Sequence, residues 1–248
     1  MLNLGVNIDH VTTLRQARYR TMPDSPNAEP SALQAALEAE AAGAHSITIH
    51  LRADRRHIQD ADVYLLRNSI GTKLNLEMGN TEEILAIALE VKPHFVCMVP
   101  ESREEVTTEG GLDVRGHFDA LKVTVGKLEA NGTRVSMFID PDLDQVRASA
   151  EVGASMIELH TGTFANHFGA ERAAEVARLK AAAELGHSLG LQINAGHGLT
   201  TGNLPDLLGI PHLAELNIGH HIVSRAVFIG LRAAVQEMLA AMTGYPSA

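Results

Sequence analysis

The chain has 248 residues, 45% hydrophobic and only 4% aromatic, with no Trp, one Cys, 13 His and a formal charge of -10 from 20 basic and 30 acidic side chains. That length can bury a large core, while the acidic balance excludes a nucleic-acid or anionic-membrane surface as the bulk partner, because either needs a basic field. No apolar run approaches the roughly 20 residues a spanning helix needs, Cys97 has no partner for an intramolecular disulfide, and no basic-then-apolar signal pattern opens the sequence, so a soluble cytoplasmic protein is expected.

Short alternating apolar runs predict eight strands, at residues 3–9, 45–50, 73–78, 94–99, 134–140, 155–160, 190–195 and 214–218. Between them lie Ala/Leu/Glu-rich stretches with apolar residues at three- and four-residue spacing, which predict helices at 31–42, 81–91, 118–130, 143–152, 170–189 and 222–242. Gly43, Gly132, Gly153 and Gly190 stand where a left-handed residue would end a helix and return the chain to a strand. Eight β/α alternations in about 250 residues match a (β/α)8 TIM barrel. No linker or composition break interrupts residues 1–248, so one domain is expected.

A doubly wound sheet shares this order, and side-chain parity separates the two. Leu4, Val6 and Ile8 alternate with Gly5, Asn7 and Asp9; Ile47 and Ile49 with Thr48 and His50; Leu74, Leu76 and Met78 with Lys73, Asn75 and Glu77. Ile157 and Leu159 alternate with Glu158 and His160, and Leu216 and Ile218 with Glu215 and Asn217. A sheet covered by helices on both faces would be apolar at both parities, whereas a closed barrel accommodates a polar interior.

Three copies of N-x-[D/G]-H end the first, seventh and eighth strands: Asn7 to His10, Asn194 to His197 and Asn217 to His220. Barrel closure makes these strands neighbours, with Asn aimed inward and His on the rim where barrel enzymes do chemistry. A second repeat relates Gly43-Ala44 and His50 to Gly153-Ala154 and His160 at equal spacing, and is read as a shared helix-to-strand turn. His94, His117, His187 and His212 are expected at solvated loop or helix ends. Glu77 and Glu158 have inward parity near strand ends, where an unpaired carboxylate is costly; Glu77 points to acid/base chemistry, and for Glu158 an ion pair is an equal alternative.

Arg outnumbers Lys 15 to 5. Arg15, Arg18 and Arg20 fall in a predicted loop after the first strand, and Arg52, Arg55 and Arg56 in the loop after the second. This suggests anion capture, with rim salt bridges accounting for some of the six. Backbone amides around Gly198 and Gly219 would add a second phosphate site. No dinucleotide or P-loop fingerprint is present. Lys73 is the sole inward-parity lysine and sits toward the barrel bottom, which argues against a lysine Schiff base. Cys97 reads as core. His10, His50, His197, His220, Glu77 and Asp9 could ligate Zn or Mn, although the H-x-H pair of many metal-dependent barrel hydrolases is missing from the first strand.

Linked motifs then narrow the reading: G-V-N-I-D-H at 5–10, I-T-I-H-L-R-x-D-R-R-H-I at 47–58, N-L-E-M at 75–78, K-P-H-F and V-P-E within 92–101, and E-V-T-T-E-G-G-L-D-V at 105–114. I-E-L-H-T-G at 157–162, N-A-G-H-G-L at 194–199 and E-L-N-I-G-H at 215–220 complete the set. The chain resembles the pyridoxine 5′-phosphate synthase family of the deoxyxylulose 5-phosphate-dependent vitamin B6 pathway. The resemblance implies condensation of 1-deoxy-D-xylulose 5-phosphate with 3-amino-2-oxopropyl phosphate, releasing phosphate and water, with no metal or organic cofactor. It implies His50 and Glu77 as general bases, His197 as general acid and Glu158 as transition-state stabiliser. It also implies that Asn7, Gly198, Gly219 and His220 bind the aminoketone phosphate. Asp9, His10, Arg52, His57 and Thr107 would bind the deoxyxylulose phosphate, and Arg18 would reach phosphate across a subunit contact in an octamer built from dimers. Residues 102–117, a long Gly-containing loop, would close the cavity against water. The competing readings are a metal-dependent sugar-phosphate isomerase or hydrolase, and a non-catalytic sugar-phosphate sensor.

Overall fold

The computed structural model describes residues 1–23, 25–100 and 110–246. Eight parallel strands close into a barrel in sequence order: β1 (Asn3–Asn7), β2 (Ser46–His50), β3 (Lys73–Met78), β4 (Phe95–Met98), β5 (Arg134–Ile139), β6 (Met156–His160), β7 (Gln192–Gly196) and β8 (Leu213–Ile218). The helices are α1 (Asp9–Tyr19), α2 (Ala32–Ala42), α3 (Asp60–Ser69), α4 (Glu82–Val91), α5 (Phe118–Ala130), α6 (Leu143–Glu151), α7 (Gly162–Asn166), α8 (Gly169–Ser188), α9 (Leu204–Leu207), α10 (His220–Ile229) and α11 (Leu231–Ala241). This is the (β/α)8 architecture expected from the alternation. Among the described residues, no helix is long and apolar enough to cross a membrane.

The parity rule is realised in the packing. Leu4, Val6, Ile47, Ile49, Leu74, Leu76, Ile157, Leu159 and Leu216 are fully buried in one cluster with the inner faces of the helices. The other parity fills the barrel with polar groups: Ser46, Thr48, Asn75, Ser136, Glu158, Asn194, Glu215 and Asn217 are all buried. Cys97, Val99 and Phe138 form a separate small apolar cluster. A polar interior is tolerable when its groups satisfy one another. Ser46 Oγ donates to Glu215 Oε1 at 3.1 Å, Thr48 Oγ1 to Asn217 Oδ1 at 3.0 Å, and Asn75 Nδ2 to Thr48 Oγ1 at 3.3 Å. At the lower end Lys73 is exposed, its Nζ 5.2 Å from the centre of the Phe95 ring.

Gly43, Gly132, Gly153 and Gly190 all have positive φ, between 83° and 106°, as the predicted helix-ending turns require. Other expectations need correction. The predicted loop after β1 is a helix: α1 presents buried Asp9, Thr12 and Gln16 rather than an apolar stripe, so it carries no hydrophobic period to read. The strand predicted over 3–9 therefore stops at Asn7, and Asp9 opens α1. The helix predicted over 222–242 divides into α10 and α11 at Gly230, whose φ is 83°. Helix α3 follows a reciprocal cap in which the Gln59 N–H donates to Asp62 Oδ2 at 2.8 Å. Thr107 and the first half of the expected 102–117 loop, residues 102–109, lie outside the described residues. At the loop's described end, the Leu112 N–H donates to Phe138 O at 2.7 Å.

Candidate active site

The C-terminal strand ends gather most of the chemistry-bearing residues at one mouth. Lateral registers place His50 beside Glu77 and Glu77 beside Cys97, and set Glu158 level with Asn194. The three N-x-[D/G]-H copies lie on adjacent strands but climb in steps. Asn194 is level with Glu215, Asn217 with Gly5, and Val6 with Ile218, which puts Asn7 beside Gly219. This stagger is the shear that closes a barrel.

On the β1–β3 side, buried Asp9 is the hub. Its Oδ1 accepts the His50 N–H at 2.9 Å, its Oδ2 accepts Asn7 Nδ2 at 2.9 Å, and His57 Nδ1 lies 3.8 Å from Oδ1. Burial drives the Asp9 pKa up to about 7, against the lowering effects of the His50 and Asn7 hydrogen bonds and the Arg52 charge. Glu77 Oε2 lies 3.9 Å from His50 Nδ1. Its pKa is pushed well above the usual carboxylate range by burial and by the neighbouring Asp9 and Glu158. His50 is pushed well below the usual imidazole value by burial and by the nearby His57 and Arg52. His57 is lowered to about 4 by burial and Arg52, and its Nδ1 accepts the Ile58 N–H at 2.9 Å.

Glu158 stands across the barrel. Asn217 Nδ2 donates to its Oε2 at 2.6 Å, and Cys97 Sγ lies 3.8 Å from the same oxygen. Burial raises Glu158 to about 7. Among the described residues no Arg is among the groups that act on it. At the β7–β8 side, His10 and His220 bring their Nδ1 atoms to 3.0 Å, which requires one ring to donate and the other to accept. His197 has φ +86°, a rare backbone for a β-carbon-bearing residue, and burial lowers its pKa to about 4. Gly198 has φ +74°, and a Cβ on Gly219 would come within 3.0 Å of the Asn7 Cβ. Gly219 also precedes α10 with no side-chain cap, so the first amides of that helix are open to an anion.

The Arg cluster is mostly structural. Arg15 makes a two-pronged pair with Asp62 at 2.8 and 2.6 Å, Arg55 bridges Asp60 and Glu83, and Arg56 holds Asp54 at 2.6 Å. Buried Arg52 stays at the site, its charge felt by Asp9, His50 and His57. Arg18 and Arg20 are exposed at the far end of α1, about 14 Å along the helix from Asp9 at 1.5 Å per residue. Half-buried His94 has a structural role: its Nδ1 accepts the Leu74 N–H at 3.0 Å, a strand-start role that His45 repeats for Leu4 at 3.1 Å. His117, His187 and His212 are exposed, the last two stacked with ring centres 3.7 Å apart. Among the described residues, no group of three His, Cys, Asp or Glu side chains is arranged to hold a metal ion.

The family model described as pyridoxal phosphate biosynthesis protein PdxJ matches residues 4–244. The chain belongs to this family. The pyridoxine 5′-phosphate synthase of Akkermansia muciniphila is 61% identical over 236 residues, covering 95% of this chain and 96% of the relative. The Synechococcus enzyme of the same name is 56% identical over 243 residues, covering 98% and 99%. Phosphoribosyl anthranilate isomerase from Thermus thermophilus superposes with a TM-score of 0.59 over 99% of this chain and 100% of its own, at 13% identity, a likeness of fold alone.

In this member of the PdxJ family, one pair escaped the sequence reading. His160 Nδ1 lies 2.9 Å from Asp140 Oδ1, and the His160 ring packs 5.1 Å from that of His197. Inward parity and the repeat with His50 marked His160. Asp140 follows β5 in a loop, where nothing in the sequence ties it to β6.

Proposed function

We propose that this chain is a pyridoxine 5′-phosphate synthase that condenses 1-deoxy-D-xylulose 5-phosphate with 3-amino-2-oxopropyl phosphate, releasing phosphate and water. Family membership and the relatives' names support the activity. The observation that carries the chemistry is the set of three carboxyls of raised proton affinity, Asp9, Glu77 and Glu158, among imidazoles held neutral in one barrel mouth. Imine formation, dehydration and loss of an α-proton need several acid/base groups of differing affinity, and pairs pushed apart in pKa supply them. The substrates' own amine and ketone form the imine, so no lysine is required at this end of the barrel.

In this reading His50 and Glu77 take protons from the condensing intermediate. Glu158, poised near neutrality, donates a hydrogen bond where negative charge develops. His197 donates a proton, yet in the free site its pKa of about 4 leaves it neutral. A phosphate seated at the amides of Gly198, Gly219 and His220 would favour its cationic form, so substrate binding itself charges the acid. Asn7 orients that phosphate's carrier. Asp9, His10, Arg52, His57 and Thr107 receive the deoxyxylulose phosphate, Arg52 as its cation.

Arg18 is too far along α1 to serve its own site, and would serve a neighbour's. Assembly into dimers and then an octamer is the matching quaternary proposal. Exposed Val227, Phe228 and Ile229 at the end of α10 are apolar surface of the kind such contacts cover. A cytoplasmic location suits a biosynthetic enzyme whose one cysteine is a free, buried thiol. Incubating the purified protein with both substrates and quantifying product and released phosphate tests the proposal; no product, or phosphate release from one substrate alone, contradicts it.

A further inference from the structure

His160 is almost fully buried, and its Nε2 has no hydrogen-bond partner. A buried polar nitrogen without a partner is costly, and such atoms in native structures call for a reason. Asp140 supplies half of it. The hydrogen bond from His160 is the leading cause that lowers the Asp140 pKa, so the carboxylate is ionised and accepts. Nδ1 is then the nitrogen that donates to the carboxylate, and Nε2 is the one left without a partner.

That nitrogen borders His197. A Cβ on Gly162 would lie 2.5 Å from His160 Nε2 and 3.2 Å from His197 Cδ2, so the two rings face one small space that exists because residue 162 has no side chain. Phe138 walls it, with ring centres 5.2 Å from His160 and 6.5 Å from His197. The backbone is clamped at the same point. The Thr161 N–H donates to Gly196 O at 2.9 Å, and Thr161 Oγ1 lies 2.7 Å from Gly196 O and 2.6 Å from His197 O. The residues that follow His160 thus hold His197 in its positive-φ conformation.

We propose that Asp140 and His160 are positioning residues for His197: the carboxylate fixes the His160 tautomer, and His160 Nε2 orients the His197 ring across the gap over Gly162 for proton donation to the substrate. The inference rests on the role given to His197 under the proposed function. The titratable and charged groups around the pair are Asp140 after β5, Arg178 on α8, which acts on Asp140, and His10 on α1, which with His160 acts on His197.

The test uses His160→Gln and Asp140→Asn, the second at a half-exposed, isosteric position whose folding is not at risk. Both should lose about tenfold or more in kcat with KM for each substrate within about twofold. Nitrogen-15 NMR of the free protein should show His160 protonated at Nδ1, and in His160→Gln the His197 titration midpoint should move up, because His160 is among the groups that lower it. Wild-type kcat in both variants overturns the pairing. So does a kcat loss with the His197 midpoint unmoved, which would make His160 merely structural. A wild-type protein that forms no product contradicts the functional reading instead, and the His160 tautomer and His197 midpoint then still decide the pairing.

Discussion

At the scale of single residues, function concentrates where burial moves proton affinity. Glu77→Gln should leave the fold intact and cut product formation by roughly 100-fold or more, the range for a lost general base, as should His50→Asn; near-normal turnover in either, beside an unchanged circular-dichroism spectrum, would remove that role. Glu158 gives a stability prediction whose sign is fixed. Its folded pKa of about 7 lies above the ordinary glutamate value of 4.5, so the folded state keeps a proton that the unfolded chain releases between those values. The destabilisation is absent below pH 4.5 and complete above pH 7. Glu158→Gln, which can still accept from Asn217, should therefore gain stability relative to wild type as pH rises through that window. Urea unfolding at pH 5 and pH 8 measures the difference, and a constant difference would contradict the buried-carboxyl assignment. Strand-borne residues were the legible part of the site, because period-two alternation assigns a face without knowledge of the fold. The Arg residues were not, since partners such as Asp62 for Arg15 lie far along the chain, and only tertiary structure distinguishes a salt bridge from a phosphate clamp.

Among the elements, the turns after β6, β7 and β8 leave little room for a side chain at their glycines. A Cβ on Gly198 would sit 2.7 Å from the Ala165 Cβ on α7 at a φ of +74°. Gly198→Ala should cost about 1 kcal/mol or more in stability and raise KM for the aminoketone phosphate, as chemical denaturation and steady-state kinetics would show. Gly186 marks the other side of the same sector. Its missing side chain lets α8 approach β6 and β7, with a Cβ there 2.7 Å from Ile193 Cδ1 and 2.9 Å from Ile157 Cδ1. Gly186→Leu should overpack this contact and cost roughly 1–3 kcal/mol, read as a lower urea midpoint at unchanged slope. Helices with an apolar face were readable from sequence. Helix α1 was not, because its inner face is held by polar contacts such as Gln16 Nε2 to His57 O at 3.2 Å. A helix that lines a functional mouth loses the hydrophobic signature that would announce it.

For the whole molecule, closure of the barrel makes the rest coherent. Strand order and parity alone place a polar interior inside an apolar shell, and closing β8 onto β1 brings three copies of one short motif together. In the proposed function the same closure would let an acidic chain handle phosphates: net charge governs long-range approach, while Arg52 and the open first amides of α10 would act inside a small mouth. The proposed assembly would be a separate property of the surface. Phe228→Asp at the exposed end of α10 should lower the sedimentation coefficient of the purified protein, and an unchanged coefficient would place the contacts elsewhere. The central claim is that this barrel joins two phosphorylated substrates by acid/base catalysis, and the most direct measurement is time-resolved quantification of pyridoxine 5′-phosphate and inorganic phosphate with both substrates present. The account predicts that the two appear together in equal amounts and that neither forms when one substrate is omitted. Product without phosphate, or phosphate from a single substrate, would contradict it.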